Sequence, residues 1–130
     1  MIAFGVAACT TPQVASRRPA IASYFDAARS ELQRCVDVTA AEARTSSPSP
    51  MGDDAQMKCA TEAAARVDTY YRAARQAVKW EKGTTMYLGR HHDEWRVSMT
   101  EATHCRRNSD AHSCVAKAIE RLVQLEEQVH

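Results

Sequence analysis

The sequence predicts an all-α protein, an up-down helical bundle of two disulfide-stapled helical hairpins. Glycine and proline are scarce, with four residues each among 130, whereas alanine, arginine, glutamate and glutamine, which favour helices, are abundant. Apolar residues recur at spacings of three and four in several separate segments. These patterns predict four helices, or three if the second and third are continuous.

The first predicted helix begins near Pro19, because the fixed φ of proline suits a first helical turn. It fades near Arg44, where residues 45–54 (TSSPSPMGDD) have the composition of a loop. The apolar stripe of this helix consists of Ile21, Phe25, Ala28, Leu32, Cys35 and Thr39, and is widened by Tyr24 and Val36.

The second predicted helix begins after an N-cap at Asp53 or Asp54. It ends at Lys82 and Gly83, a basic residue followed by a glycine stop signal. Its apolar stripe consists of Met57, Ala60, Ala63 or Ala64, Val67, Tyr70 or Tyr71, Ala74, Ala77 and Val78.

The third helix is predicted from about Arg90, because Gly89 weakens an earlier start. Its apolar side carries Leu88, His92, Trp95, Met99, Ala102 and Cys105 or Arg106. Asp110 then caps the fourth helix, which has the clearest stripe: Val115, Ala118, Ile119, Leu122, Leu125 and Val129.

The N-terminal stretch resembles a bacterial lipobox. Residues 6–9 read VAAC, an aliphatic residue and two small residues before Cys9. In lipoproteins of this kind the cysteine is acylated and becomes the mature N-terminus, and Thr10 in the next position resembles members sorted to the outer membrane. The resemblance implies a truncated lipoprotein signal and tether over residues 1–18 and a bundle domain over 19–130. It places the protein in the periplasm, anchored to the outer membrane by lipid at Cys9.

Only eight residues precede Cys9, and none of them is Lys or Arg. A signal peptide has a basic region followed by a longer apolar region. We therefore expect the true start to lie upstream of Met1. The alternative interpretation is an apolar N-terminus with an ordinary cysteine.

Four cysteines remain if Cys9 is acylated, and an even number in an oxidising compartment predicts two disulfides. The sequence repeats a pattern in which an aromatic-led helix ends in a cysteine and a second cysteine opens the next helix. Such positions lie side by side at the loop end of a helical hairpin. The predicted pairs are therefore Cys35–Cys59 and Cys105–Cys114. If the chain reverses at Gly83, as we favour, both lie at one end of an up-down-up-down bundle.

Composition disfavours two functional classes. The 17 basic and 16 acidic side chains nearly balance, whereas a nucleic-acid binder normally carries a basic excess. The sequence contains no run of about 18 apolar residues, so it predicts no membrane-spanning helix. We expect no nucleic-acid partner.

No constellation of residues predicts catalysis, a metal site or a cofactor. Residues 91–94 (HHDE) contain adjacent histidines, but these point about 100° apart on a helix. Glu101 and His104 match the E-x-x-H spacing of di-iron bundles, which also need a second copy and two more inward glutamates. We expect a solvated helix face at these positions. Trp95, Tyr70, Tyr71 and Tyr87 are expected to pack in the core.

Residues 86–118 (MYLGRHHDEWRVSMTEATHCRRNSDAHSCVAKA) are similar to the core of entry-exclusion lipoproteins of conjugative elements. The matching positions are Tyr87, Leu88, Cys105, Cys114 and Ala118. The resemblance implies a binding function, the blocking of a conjugation apparatus at the recipient envelope.

The sequence therefore predicts a non-enzymatic exported lipoprotein that binds a protein partner in the bacterial envelope, with the loop over residues 45–54 as a candidate contact surface. One alternative is an inhibitor or immunity protein that neutralises a toxin or enzyme. Another is a cytosolic helical protein with a metal site formed by Cys105, His112 and Cys114.

Overall fold

The computed structural model describes residues 18–43, 50–104 and 111–129. Within these ranges the chain forms four α-helices: α1 (Pro19–Ala43), α2 (Pro50–Ala77), α3 (Lys82–His104) and α4 (Ala111–Glu127). The all-α prediction is confirmed, and so is the prediction of four separate helices.

Contacts between helices show that the chain runs up-down-up-down. Antiparallel α1 and α2 are joined by Cys35–Cys59 near one end and by Arg18–Glu81 at the other. The α3 helix runs parallel to α1, because Tyr24 contacts His91 and Ala28 contacts Trp95 with the same sequence separation. The α4 helix runs back along α3 and reaches α1 through an Arg29–Glu126 ion pair.

The α1 helix follows the sequence prediction closely. It begins at Pro19, and the carbonyl of Arg18 accepts hydrogen bonds from the backbone N–H groups of Ile21 and Ala22 at 3.1 Å. Seven residues of the predicted stripe are buried: Ile21, Tyr24, Phe25, Ala28, Leu32, Cys35 and Val36. The side chain of the eighth, Thr39, lies outside the described residues.

The chain reverses between α2 and α3 earlier than predicted. The α2 helix ends at Ala77, and residues 78–80 form a turn closed by a 2.8 Å hydrogen bond from the Glu81 N–H to the Val78 carbonyl. The hydroxyl of Thr85 donates to the same carbonyl. Gly83 therefore lies in the first turn of α3, and a Cβ there would meet nothing within 4 Å. The predictions of a stop at Gly83 and of a start near Arg90 are wrong.

Two further details of α2 differ from the prediction. The helix begins at Pro50 and not after Asp53 or Asp54, in keeping with the preference of proline for a first helical turn. Met57 and Ala77, assigned to the apolar stripe, are exposed, whereas Cys59, which was not assigned to it, is buried.

The core lies where α1, α2 and α3 meet, with α4 covering one side. Its largest fully buried side chains are Trp95, Tyr24, Leu32, Leu88 and Leu122. The indole N–H of Trp95 donates a 2.7 Å hydrogen bond to the backbone carbonyl of Ala28, which fixes α3 against α1. Tyr71 also packs against the core, whereas Tyr70 is exposed, so the packing prediction is wrong for Tyr70.

Candidate functional site

The structure brings together one of the two predicted cysteine pairs. Cys35 and Cys59 form a disulfide with their Cα atoms 5.7 Å apart, and both are buried. Cys9 and Cys105 lie outside the described residues, as does the side chain of Cys114. The Cys105–Cys114 pair and the lipidation site remain predictions.

A polar network that the sequence did not predict crosses the centre of the bundle. The Nδ1 atom of His91 lies 2.8 Å from the hydroxyl of Tyr24, and its Nε2 atom lies 3.2 Å from a carboxylate oxygen of Glu126. Glu126 also pairs with Arg29 at 3.1 Å. Tyr24 and His91 have no exposed surface. The expectation of a solvated helix face at residues 91–94 is therefore wrong for His91, because α1 and α4 cover this side of α3.

The carboxylate of Glu126 assigns the direction of one of these hydrogen bonds. A carboxylate can only accept, so Nε2 of His91 carries a hydrogen and donates to Glu126. Burial raises the pKa of the Tyr24 phenol far above its usual value, so the phenol keeps its proton and shares a hydrogen bond with Nδ1 of His91. The network links α1, α3 and α4 through one imidazole.

The adjacent His92 has a different role. Its ring stacks on Tyr71 of α2, with the ring centroids 4.1 Å apart and an interplanar angle of 9°. Burial first, and then the nearby Arg96 cation, lower the pKa of His92 below its usual value. His92 is therefore neutral at pH 7 and joins α3 to α2, while His91 joins α3 to α1 and α4.

We expect Tyr24→Phe to lower the free energy of unfolding by about 1–3 kcal/mol, because it leaves the buried Nδ1 atom of His91 without its hydrogen-bond partner. Urea unfolding followed by circular dichroism measures the change. Tyr70→Phe is the matched control, because the Tyr70 side chain is exposed, and we expect it to change stability by less than about 0.5 kcal/mol. Equal effects of the two substitutions would contradict a structural role for the network.

The other candidate site residues are engaged differently. Glu101 forms an ion pair with Arg121 of α4, which also pairs with Glu94. The side chains of His104 and His112 lie outside the described residues, as do Cys105 and the side chain of Cys114, so the alternative metal site is not described. Among the side chains that the structure describes, no group of three or more His, Cys, Asp or Glu residues is arranged to hold a metal ion.

Two positions of the entry-exclusion resemblance serve the core. Leu88 and Ala118 are buried, and Tyr87 is half-buried with the Arg90 guanidinium 5.7 Å from its ring centroid. Helix packing accounts for Leu88 and Ala118, whatever else they do. The loop proposed as a contact surface falls partly on residues 45–49, which lie outside the described residues, as do the side chains of residues 50–54.

One open groove lies between α1 and α4 and has a volume of about 600 Å³. It is lined by Arg29, Ser30, Gln33, Arg34, Asp37 and Ile119. Five of these six lining residues have polar or charged side chains, but most of the surface that they expose in the groove is apolar. The Arg34 side chain is held by Glu31, whose carboxylate also bonds Arg66 of α2. Burial of the Glu31 carboxylate raises its pKa, but these two hydrogen bonds prevail and lower it below its usual value. One wall of the groove is thus fixed by ion pairs.

The second distinctive surface lies where α2 ends and α3 begins. Trp80, in the connecting turn, is 86% exposed, and the Lys79 ammonium lies 5.2 Å from its ring centroid. A neighbouring cleft of about 270 Å³ is lined by Arg72, Arg75, Gln76, Lys79 and Thr85. The net charge of the whole chain is nearly neutral and therefore did not indicate this local cluster of basic side chains.

No protein-family model matches this chain, and neither a curated protein nor a solved structure shows significant similarity to it. Within the described ranges, none of the helices combines the length and the apolar character that crossing a bilayer requires.

Proposed function

We propose that this chain is an exported lipoprotein of the bacterial envelope, held to the outer membrane through Cys9, that binds a protein partner and catalyses no reaction. The observation that carries the proposal is the Cys35–Cys59 disulfide. Structural disulfides form and persist in oxidising compartments such as the periplasm and are rare in the cytosol. The disulfide therefore supports export, as does the VAAC sequence that ends at Cys9.

The placement of the titratable groups supports a role in binding. Tyr24 and His91 are fully buried between helices, and the Glu126 carboxylate contacts His91 and Arg29. A general acid or base must come within hydrogen-bond reach of its substrate. Groups held in this way stabilise the bundle and present nothing to a substrate.

The groove between α1 and α4 is the surface that we assign to the partner. Protein interfaces outside obligate complexes are about as polar as the remaining surface, and this groove combines Ser30 and Gln33 with the apolar Ile119. Because Arg29 and Arg34 are already held by ion pairs, they lose little conformational freedom when a partner binds.

Peptide mass mapping of the unreduced protein from its native host tests the proposed export and lipid attachment. We expect an acylated Cys9 and linked peptides containing Cys35 and Cys59. We also expect Cys9→Ser to release the protein from the membrane fraction. Free thiols at Cys35 and Cys59 together with a retained, unmodified N-terminus would contradict export.

Site-specific photo-crosslinking in the native host tests the binding surface. A crosslinking residue at Ser30, in the groove, is expected to trap one defined envelope protein. The same residue at Ala65, exposed on α2, is the matched control and is expected to trap none. Identical adduct patterns from the two positions would contradict the assignment of the groove.

A further inference from the structure

We propose that the end of the bundle where α2 meets α3 is a contact surface for an anionic phospholipid membrane. Trp80 inserts at the interface, and the surrounding cations, with Lys79 and Lys82 nearest in sequence, bind lipid phosphates. The orientation of the bundle in this proposal rests on the proposed tether at Cys9, whereas the attraction to anionic lipid does not need it.

Charge and exposure define this surface. Residues 72–90 contain five basic side chains and one acidic side chain, against a net charge of +1 for the whole chain. One of the five, Arg72, is paired with Asp68 of the same helix. The single acid, Glu81, is held by Arg18 at 2.7 Å, and hydrogen bonding from Arg18 lowers its pKa below the usual value. The described side chains offer no ion-pair partner to Arg75, Lys79 or Lys82, so their charges remain available to an external anion.

Trp80 is the second, independent observation. It is the most exposed large hydrophobic residue among the described side chains, although tryptophan normally buries a large apolar surface when it packs. Tryptophan is enriched at membrane–water interfaces, where its ring lies at the level of the headgroups. Cations at the end of α2 also complement the helix dipole, which accounts for Arg75 and Lys79. Dipole compensation does not account for Trp80.

The position of the start of α1 favours a membrane over other anionic partners. The ion pair between Arg18 and Glu81 places the start of α1 beside the turn that carries Trp80. Eight residues, 10–17, lie between Cys9 and Arg18. A lipid attached at Cys9 therefore brings this end of the bundle, and not the end near Cys35–Cys59, towards the bilayer. A lipid anchor together with a basic patch gives two membrane-binding signals.

The test uses the full chain carrying Cys9→Ser, so that no acyl chain contributes. Vesicles of phosphatidylcholine alone are compared with vesicles of equal parts phosphatidylcholine and phosphatidylglycerol. The protein has two tryptophans, and Trp95 is buried, so a blue shift of the emission on binding reports Trp80. We expect the shift with the anionic vesicles, its loss at high salt because salt screens surface charge, and its absence in Trp80→Phe.

Paired substitutions separate local from overall charge. Lys79→Ala with Lys82→Ala is expected to weaken partitioning about twenty-five-fold, because each cation near an anionic surface contributes about fivefold. Lys58→Ala with Lys117→Ala removes the same charge from exposed positions on α2 and α4 and is expected to leave partitioning unchanged. Equal losses in the two pairs, equal binding to uncharged vesicles, or no shift of Trp80 emission would each overturn the proposal. So would binding to polyglutamate without binding to vesicles, which would assign the surface to an acidic protein.

The membrane-contact surface and the lipid tether at Cys9 can be contradicted independently. A native protein without an acyl group at Cys9 would contradict the proposed tether, while vesicle binding by the Cys9→Ser chain would still confirm the surface. If the native protein is acylated at Cys9 but its Cys9→Ser form does not bind anionic vesicles, the membrane-contact surface is contradicted and the tether is not.

Discussion

Replacing Trp95 by alanine is expected to lower the free energy of unfolding by about 3–5 kcal/mol, the range for truncating a large buried aromatic residue. Trp95 is 1% exposed and is the largest fully buried side chain among the described residues. The substitution removes the apolar contacts of the indole and leaves the Ala28 carbonyl without its 2.7 Å donor. Because small domains are stable by only about 5–15 kcal/mol, the loss is a large fraction of the total.

Urea unfolding monitored by circular dichroism measures the loss, since it does not depend on tryptophan fluorescence. Trp80→Ala is the matched control, because it removes the same side chain from an exposed position. We expect that control to change stability by less than about 0.5 kcal/mol. Trp95→Phe keeps much of the apolar volume and is expected to fall between the two. A loss at Trp95 no greater than that at Trp80 would contradict its place in the core.

The helices and the first disulfide could be predicted because their signals are local. In α1, an apolar residue at every third or fourth position faces α2 and α3, so the predicted stripe is also the buried one. The partner of Cys35 followed from its place near the end of one helix and that of Cys59 near the start of the next. Neither inference requires knowledge of the remaining fold.

The boundary between α2 and α3 could not be predicted because the stop signal in the sequence, at Lys82 and Gly83, does not lie where the helix ends. A glycine after a lysine is typical of a helix C-terminus, but Gly83 follows a turn that the Val78 carbonyl has already closed. The hydroxyl of Thr85 reinforces this turn from the next helix. Such a contact exists only after α3 has folded back on α2.

The buried histidine escaped prediction because the pattern of one helix does not show how many neighbours cover it. A single stripe on α3 accommodates His92 and turns His91 outward. In the fold, α1 and α4 cover the His91 side as well, and Tyr24 and Glu126 supply its hydrogen-bond partners from far along the chain. The basic surface around Trp80 was hidden for a related reason, since the total charge averages over the whole chain.

Removing the Cys35–Cys59 disulfide is expected to lower the free energy of unfolding by about 3 kcal/mol, the chain-entropy value for a closed loop of this length. The two cysteines are 24 residues apart in sequence, and each is buried. The loss arises mainly in the unfolded state, which gains conformations when α1 and α2 are no longer joined. The double substitution Cys35→Ala with Cys59→Ala is preferable to either single change, because a single change leaves the other cysteine of the pair free to exchange with the remaining cysteines.

Urea unfolding of the oxidised and the reduced forms separates the cross-link from the packing of the sulfur atoms. In the oxidised proteins, the full difference of about 3 kcal/mol is expected between the unsubstituted chain and the double variant. Under a thiol reductant the unsubstituted chain also loses the bond, so the difference is expected to shrink to the smaller cost of the deleted atoms. A difference that stays the same under reductant would show that Cys35 and Cys59 stabilise the protein by packing alone.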